Sequence, residues 1–200
     1  SQLSIPETVR TINGRCYSNI FFWHLHAYAT ITRHLCAEPR SVLEIGGGLG
    51  ELARIFKLVH PRVIYTILDL PESLFFAHVY LREHFPDAAI HTVMTGIDRL
   101  RTDADFVLVP VQCYPALYSS GPYGVAVSQG SMQEMPPETS KRYMRLVHEI
   151  NGQNFYSLNY HSLEFVFPEE WRKVHEQRNV PIIVWDSLVD METCWKRNGI

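Results

Sequence analysis

The residues with the most chemical content are a run of glycines and two acids. Residues 42–50 read Val-Leu-Glu-Ile-Gly-Gly-Gly-Leu-Gly, and the next apolar run closes on Asp69. Gly46, Gly48 and Gly50, with Gly47 among them, remove β-carbons where a chain leaving a strand must turn sharply and let a ligand approach. A helix opening near Gly50 then aims its free amides at that ligand. Asp69 offers two acceptor oxygens at the end of that run. The pattern therefore predicts a site for an adenosine-bearing cofactor. A nicotinamide turn would read Gly-x-Gly-x-x-Gly, and the third glycine position here is Glu51, which counts against that cofactor. Asp69 is also placed to cap a helix ahead of Pro71, a role compatible with ligand binding. Glu44, inside the strand, is either a cofactor ligand or a structural acid bonded to a neighbouring amide.

These residues need a scaffold. Residues 17–35 carry Ile20, Trp23, Ala27, Ile31 and Leu35 at spacings of three and four, which predicts a helix over one face of a sheet. Residues 42–45 have the near-continuous apolar character of a parallel strand buried on both faces, and residues 49–59 read as the helix that follows. Residues 63–68 give a second strand and residues 71–84 a second helix, with Pro71 at its first position. Strand, helix, strand, helix implies a right-handed parallel α/β sheet. Of residues 89–94 and 105–109 one is expected to supply the third central strand, with 105–109 preferred because it leads to a polar loop at Gln112. Residues 124–128 and 154–159 read as further strands, and residues 137–150 as a helix stopped by Asn151-Gly152. In the tail, residues 164–167 and 182–186 are expected to form an antiparallel pair around a short helix containing Trp171. The organisation is thus an N-terminal helical segment, 1–40, leading into one Rossmann-like domain, 41–200.

Composition bounds the function. Two hundred residues, 46% hydrophobic and 20% charged, fit one domain with a sizeable core. The net charge of −3 and scattered basic residues give no nucleic-acid footprint. Four dispersed cysteines without a Cys-x-x-Cys pair argue against zinc and for reduced thiols in a cytoplasmic setting. The apolar run 20–31 is broken by His24 and His26 and is too short for a membrane span, and no signal peptide is recognisable before it. His24 and His26 are two apart on a helix and face different ways, which makes no metal pair, and no metal site is expected. The chain opens at Ser1 rather than methionine, as expected of a processed or excised piece of a longer protein.

The spacing Glu44-x-Gly46-x-Gly48-x-Gly50 with Asp69 downstream resembles the first motif of class I methyltransferases, which bind S-adenosyl-L-methionine. That resemblance implies a Rossmann-like fold, a mostly parallel sheet with helices on both faces. The glycine turn would lie beside the methionine moiety, Asp69 would accept from both ribose hydroxyls, two adjacent donors that suit one carboxylate, with Leu70 next to it, and Ser128 would sit at the turn after the fourth strand. If residues 105–109 are the third strand, Gln112 would bond the adenine edge. Thr95 or Gly96 is the alternative for the adenine contact. Residues 65–72, 128–135 and 155–159 together are similar to a family of sugar O-methyltransferases, over about residues 42–159. The stretch Ser131-Met132-Gln133-Glu134-Met135 carries most of that likeness, and it implies a sugar or glycan hydroxyl as acceptor, in polysaccharide biosynthesis.

Methyl transfer from a sulfonium is an in-line displacement, so the protein chiefly aligns the acceptor. An alcohol benefits from a general base, for which His161 and Glu134 are the candidates, both after predicted strand ends. Ser131, Met132 and Tyr114 are the acceptor-side candidates, Tyr114 as a stacking face. Ser131 to Glu134 also reads as a capping box, but Pro136 and Pro137 would stop any helix within a turn, so a short turn is expected there. The signature of nucleic-acid amino methyltransferases, a polar residue followed by Pro-Pro and an aromatic, is absent from Met135-Pro136-Pro137-Glu138. Two alternatives remain beside the sugar reading: a small-molecule methyltransferase with a non-sugar acceptor, and a non-catalytic scaffold domain within a larger glycan-assembly protein.

Overall fold

The computed structural model describes residues 9–35, 38–97, 99–150, 152–159, 168–184 and 187–198. An N-terminal hairpin, β1 (Val9–Ile12) and β2 (Arg15–Ser18), precedes helix α1 (Asn19–His34). Its turn is Asn13-Gly14, both at positive φ (50° and 75°), the geometry that joins twisted strands through two residues. The Ser18 hydroxyl accepts from the Phe21 amide at 3.1 Å and so caps α1. The helix therefore begins two residues later than its apolar spacing indicates, because residue 17 pairs in the hairpin.

The remaining strands form one eight-stranded sheet. In chain order they are β3 (Ser41–Ile45), β4 (Ile64–Asp69), β5 (Ile90–Thr92), β6 (Phe106–Pro110), β7 (Val125–Gln129), β8 (Asn154–Asn159), β9 (Trp171–Val184) and β10 (Ser187–Arg197). Their spatial order is β5-β6-β4-β3-β7-β8-β10-β9, parallel up to β8 and antiparallel beyond it. The chain winds outward from β3 through β4 to the edge strand β5, fills the gap with β6, then crosses to β7 on the other side of β3. The carboxyl ends of β3 and β7 thus flank the point where winding reverses, the place at which an open α/β sheet opens a crevice.

Alternation along the strands builds two cores. Val42, Tyr65, Ile67, Phe106, Leu108, Val125 and Val127 face α1, α2 (Glu51–Val59) and α3 (Pro71–His84). Leu43, Ile45, Leu68, Val107, Val109 and Ala126 face α4 (Pro137–Glu149) and the 3-10 segment Val111–Ser119. Lys57 ties α2 to the sheet: its ammonium bonds the Val63 carbonyl at 2.8 Å and Asp105 at 2.6 Å.

Three sequence expectations change. Both 90–92 and 106–110 are strands of the one sheet, β6 beside β4 as preferred and β5 outside it at the edge. Trp171 lies in a strand and not in a short helix, because β9 is an edge strand. Its Arg172, Lys173, Glu176 and Arg178 face solvent or half-buried surface, so its apolar signal is thin. Residues 182–184 end that strand, and 164–167 lie outside the described residues. The N-terminal segment also contains the hairpin, whose short strands carry little periodicity. Among the described residues no helix is long and apolar enough to cross a membrane.

Candidate active site

Strand β3 delivers its chain to the crevice through the glycine turn. The Gly46 amide bonds the Leu68 carbonyl at 2.8 Å, and the Gly50 amide closes a turn onto the Gly47 carbonyl at 2.9 Å. Gly46 sits at φ 79°, and a β-carbon there would lie 2.2 Å from the β-carbon of Ser131. Only glycine lets the two loops meet. Ser131 locks the junction by donating its hydroxyl to the Ile45 carbonyl at 2.6 Å, and its oxygen lies 3.1 Å from the buried Ser128 hydroxyl. Gly50, also at positive φ, caps α2 by its backbone alone, which leaves the first amides of that helix pointing into the crevice.

Asp69 stands at the tip of β4. Its Oδ2 accepts from the Gly48 amide at 2.8 Å and its Oδ1 from the Leu70 amide at 2.7 Å, so the acid steadies the glycine turn; it does not cap α3, whose N-cap is Leu70 without a side-chain bond. Loss of solvent raises its pKa above the ordinary value, while these two amides and the Ser73 hydroxyl pull it part of the way back. Leu70 is exposed beside it. Beneath the turn, Glu44 is fully buried, and a β-carbon on Gly47 would come within 2.9 Å of its Oε2. Burial pushes the Glu44 carboxyl up to about 8, against the Tyr65 hydroxyl, which donates to Oε2 at 2.9 Å; the nearby charge of Asp69 adds to the rise. Its second oxygen, Oε1, has no hydrogen-bond partner among the described residues.

A cavity of about 360 Å³ opens between α3 and the strands β5 and β6, lined by Pro71, Leu74, Phe75 and His78 of α3, Met94, and Gln112 among others. It is mostly apolar, within the usual size of small-molecule pockets. Gln112 reaches it because β6 adjoins β4. Thr92 and Val93 also line it, whereas Thr95 and Gly96 do not.

The acceptor-side candidates spread out. Residues 132–134 form a single 3-10 turn, as the prolines require, with Glu134 exposed on it. Met132 is buried in the second core, its carbonyl accepting from the Ser140 hydroxyl at 2.9 Å. Tyr114 is half-buried, its ring 6.5 Å from those of Tyr118 and Tyr143. His161 lies outside the described residues. No group of three or more His, Cys, Asp or Glu that could hold a metal occurs among the described residues.

Sequence reasoning passed over three side chains that the fold brings to this end of the sheet. Tyr65 supplies the Glu44 bond. Gln129, last in β7, holds His24 of α1 by a 2.8 Å contact between Oε1 and Nδ1. The available signal was a polar residue ending an otherwise apolar strand.

No family model matches the sequence, and no curated protein is significantly similar to it. Solved structures share its fold. The magnesium protoporphyrin IX methyltransferase of Synechocystis PCC 6803, with bound SAM, is 10% identical at a TM-score of 0.59, over 90% of this chain and 81% of that one. A protein of Nostoc punctiforme PCC 73102 described as an O-methyltransferase is 11% identical at 0.58, over 87% and 55%. The mitomycin 7-O-methyltransferase is 12% identical at 0.54, over 86% and 53%. The chain spans about half the length of the last two. Its fold is the Rossmann-like fold of class I methyltransferases.

Proposed function

We propose that the chain is an S-adenosyl-L-methionine-dependent O-methyltransferase. The observation that carries this reading is Asp69, fixed at the tip of β4 by the Gly48 and Leu70 amides, two residues before Pro71, which lines an apolar cavity. A carboxylate has about four acceptor positions. The two amides use one on each oxygen, so each keeps a second for a ribose hydroxyl once the Ser73 hydroxyl turns aside. Adenine would fill the cavity beside Pro71 and Met94 with Gln112 at its polar edge. The chain also fits the charged end of the cofactor, because Glu44 presents a buried oxygen without a partner directly under the turn.

When bound, the cofactor supplies an electrophilic methyl group on a sulfonium. The chain's contribution is to hold the acceptor in line and exclude water. Ser131, on the rim beside Gly46, and the exposed Glu134 next to it are the proposed acceptor contacts; Tyr114 offers a face, and Glu134 and His161 remain base candidates. The finer reading, a sugar or glycan hydroxyl, is supported by the 131–135 stretch and its resemblance.

Titration calorimetry of the folded chain with S-adenosylmethionine and S-adenosylhomocysteine tests the cofactor. Saturable heat with one site is expected; no heat from a protein with an intact circular dichroism spectrum would sink the proposal. Methyl transfer to a panel of glycans and small alcohols then separates the sugar reading from other acceptors.

A further inference from the structure

We propose that His24 is the general base of this reaction, taking the acceptor hydroxyl's proton on Nε2. The inference rests on the methyltransferase reading and adds a residue to it.

The geometry fixes the imidazole's tautomer. Gln129 is buried at the end of β7, and its Nε2 donates to the Trp23 carbonyl at 3.2 Å. A carbonyl only accepts, so the amide orientation is set and Oε1 must face His24. With Oε1 2.8 Å away, Nδ1 carries the hydrogen and Nε2 carries the lone pair. Among the described residues Nε2 makes no hydrogen bond. A histidine held at one nitrogen by a buried amide, its other nitrogen a bare acceptor, has the arrangement of an oriented base.

Its position is equally defined. The turn of α1 carrying Trp23 and His24 lies across the end of β7: Gly130, at φ 66°, packs so closely that a β-carbon there would be 2.6 Å from the Trp23 ring. The next residue, Ser131, is the one sealed onto Gly46. From the other side, Glu51, the first residue after the glycine turn, and Arg54 of α2 are near enough to act on the imidazole with opposing signs. His24 is thus held against the end of β7, beside the crevice where the sheet reverses its winding. Burial holds its pKa below the ordinary 6.5, which leaves the ring neutral and able to accept at neutral pH.

The step balances without further reactants. The acceptor oxygen attacks the methyl carbon, the carbon–sulfur bond breaks with its electron pair going to sulfur, and the hydroxyl proton passes to Nε2. The imidazolium then releases that proton to water. Glu134, exposed on the rim, is left to hold the acceptor.

Nitrogen-15 histidine spectra of the intact chain, with the His24 signals assigned by their loss in His24→Gln, are expected to show the Nδ1–H tautomer. Diethyl pyrocarbonate should carbethoxylate Nε2 of His24. S-adenosylhomocysteine at ten times its Kd should slow that modification about tenfold, in proportion to site occupancy. His24→Gln should bind S-adenosylhomocysteine within about twofold of wild type, while turnover on any acceptor that wild type methylates falls about 100-fold or more. A proton found on Nε2, or a carbethoxylation rate unmoved by saturating S-adenosylhomocysteine, overturns the assignment while leaving the cofactor site standing. No heat of binding in the wild type would instead remove the methyltransferase reading itself.

Discussion

Glu44→Gln should stabilise the protein at alkaline pH and flatten its pH profile. Glu44 is fully buried in β3, and burial pushes its carboxyl from 4.5 to about 8. An acid whose pKa is raised on folding binds more protons in the native state. Its contribution is therefore complete below the unfolded value near 4.5 and is lost as pH rises toward 8. Each unit of pH in that window costs about 1.4 kcal/mol at the limit, so wild type should lose between about 2 and 4 kcal/mol relative to the glutamine variant from pH 5 to pH 8. Glutamine keeps the volume and an acceptor oxygen for the Tyr65 hydroxyl, so little packing changes. The assay is urea unfolding of both proteins at half-unit pH steps, read as the difference between their free energies, which cancels every other titrating group. Parallel profiles would refute the argument and mean that Glu44 is ionised in the fold, with a partner that its geometry does not reveal. A cationic group of a bound ligand beside the free oxygen would lower this pKa, so binding at pH 7 should release a proton. Calorimetric heats of binding would then vary with the ionisation enthalpy of the buffer.

Asp69→Ala should weaken S-adenosylhomocysteine binding by about 1.5 to 3 kcal/mol, roughly 10- to 150-fold in Kd, and an unchanged constant would remove the ribose assignment. Gly46→Ala and Gly48→Ala should differ sharply in thermal denaturation. Both positions have positive φ, but a β-carbon at Gly46 meets Ser131 at 2.2 Å whereas one at Gly48 meets nothing within 4 Å. The Gly48 variant should lose about 1 to 2 kcal/mol, the cost of the left-handed backbone alone, and the Gly46 variant clearly more; equal losses would contradict the sealed junction. Glu192 is buried and accepts from Tyr156 at 2.8 Å, His26 at 3.0 Å and His175 at 3.1 Å. Burial alone would raise its carboxyl, but these partners hold it at about 2, so its stabilisation is present above 4.5 and lost as pH falls toward 2. Glu192→Gln should cost about 3 kcal/mol at pH 7 and remove much of that acid sensitivity, measured by chemical unfolding at pH 7 and pH 3.

The central sheet was readable because strands covered on both faces are nearly unbroken apolar runs, and their helices begin at Gly50 and Pro71, residues with positional meaning of their own. Residues 154–159 form a strand with the expected bounds for the same reason. The periphery was not readable. In β9 charged residues share an edge strand with Val174 and Val180, so neither alternation nor a helical stripe dominates, and the first hairpin spends four residues on each strand. The contact between glycine turn and acid was legible since both lie within one strand-helix-strand unit. The other pairings at this end of the sheet join partners far apart in the chain: His24 and Gln129 are 105 residues apart, and Tyr65 reaches Glu44 across a strand pair.

His24 shows why a local rule misleads. Judged against His26 on the same helix it makes no pair, and the two rings turn to different partners, one to Gln129 and the other to Glu192. That test asked only about neighbours in sequence. The productive question concerned the strands. A polar residue inside or ending a strand buried on both faces must find a partner or a ligand, because leaving it unpaired costs several kcal/mol in water-transfer terms. In β3 that residue is Glu44, and in β7 it is Ser128 followed by Gln129, at the two strands that flank the reversal of winding. Both strands thus carry buried polarity at the same end of the sheet. Each meets its demand differently: Glu44 keeps one carboxyl oxygen without a hydrogen-bond partner among the described residues, and Gln129 reaches out of the sheet to the His24 imidazole of α1.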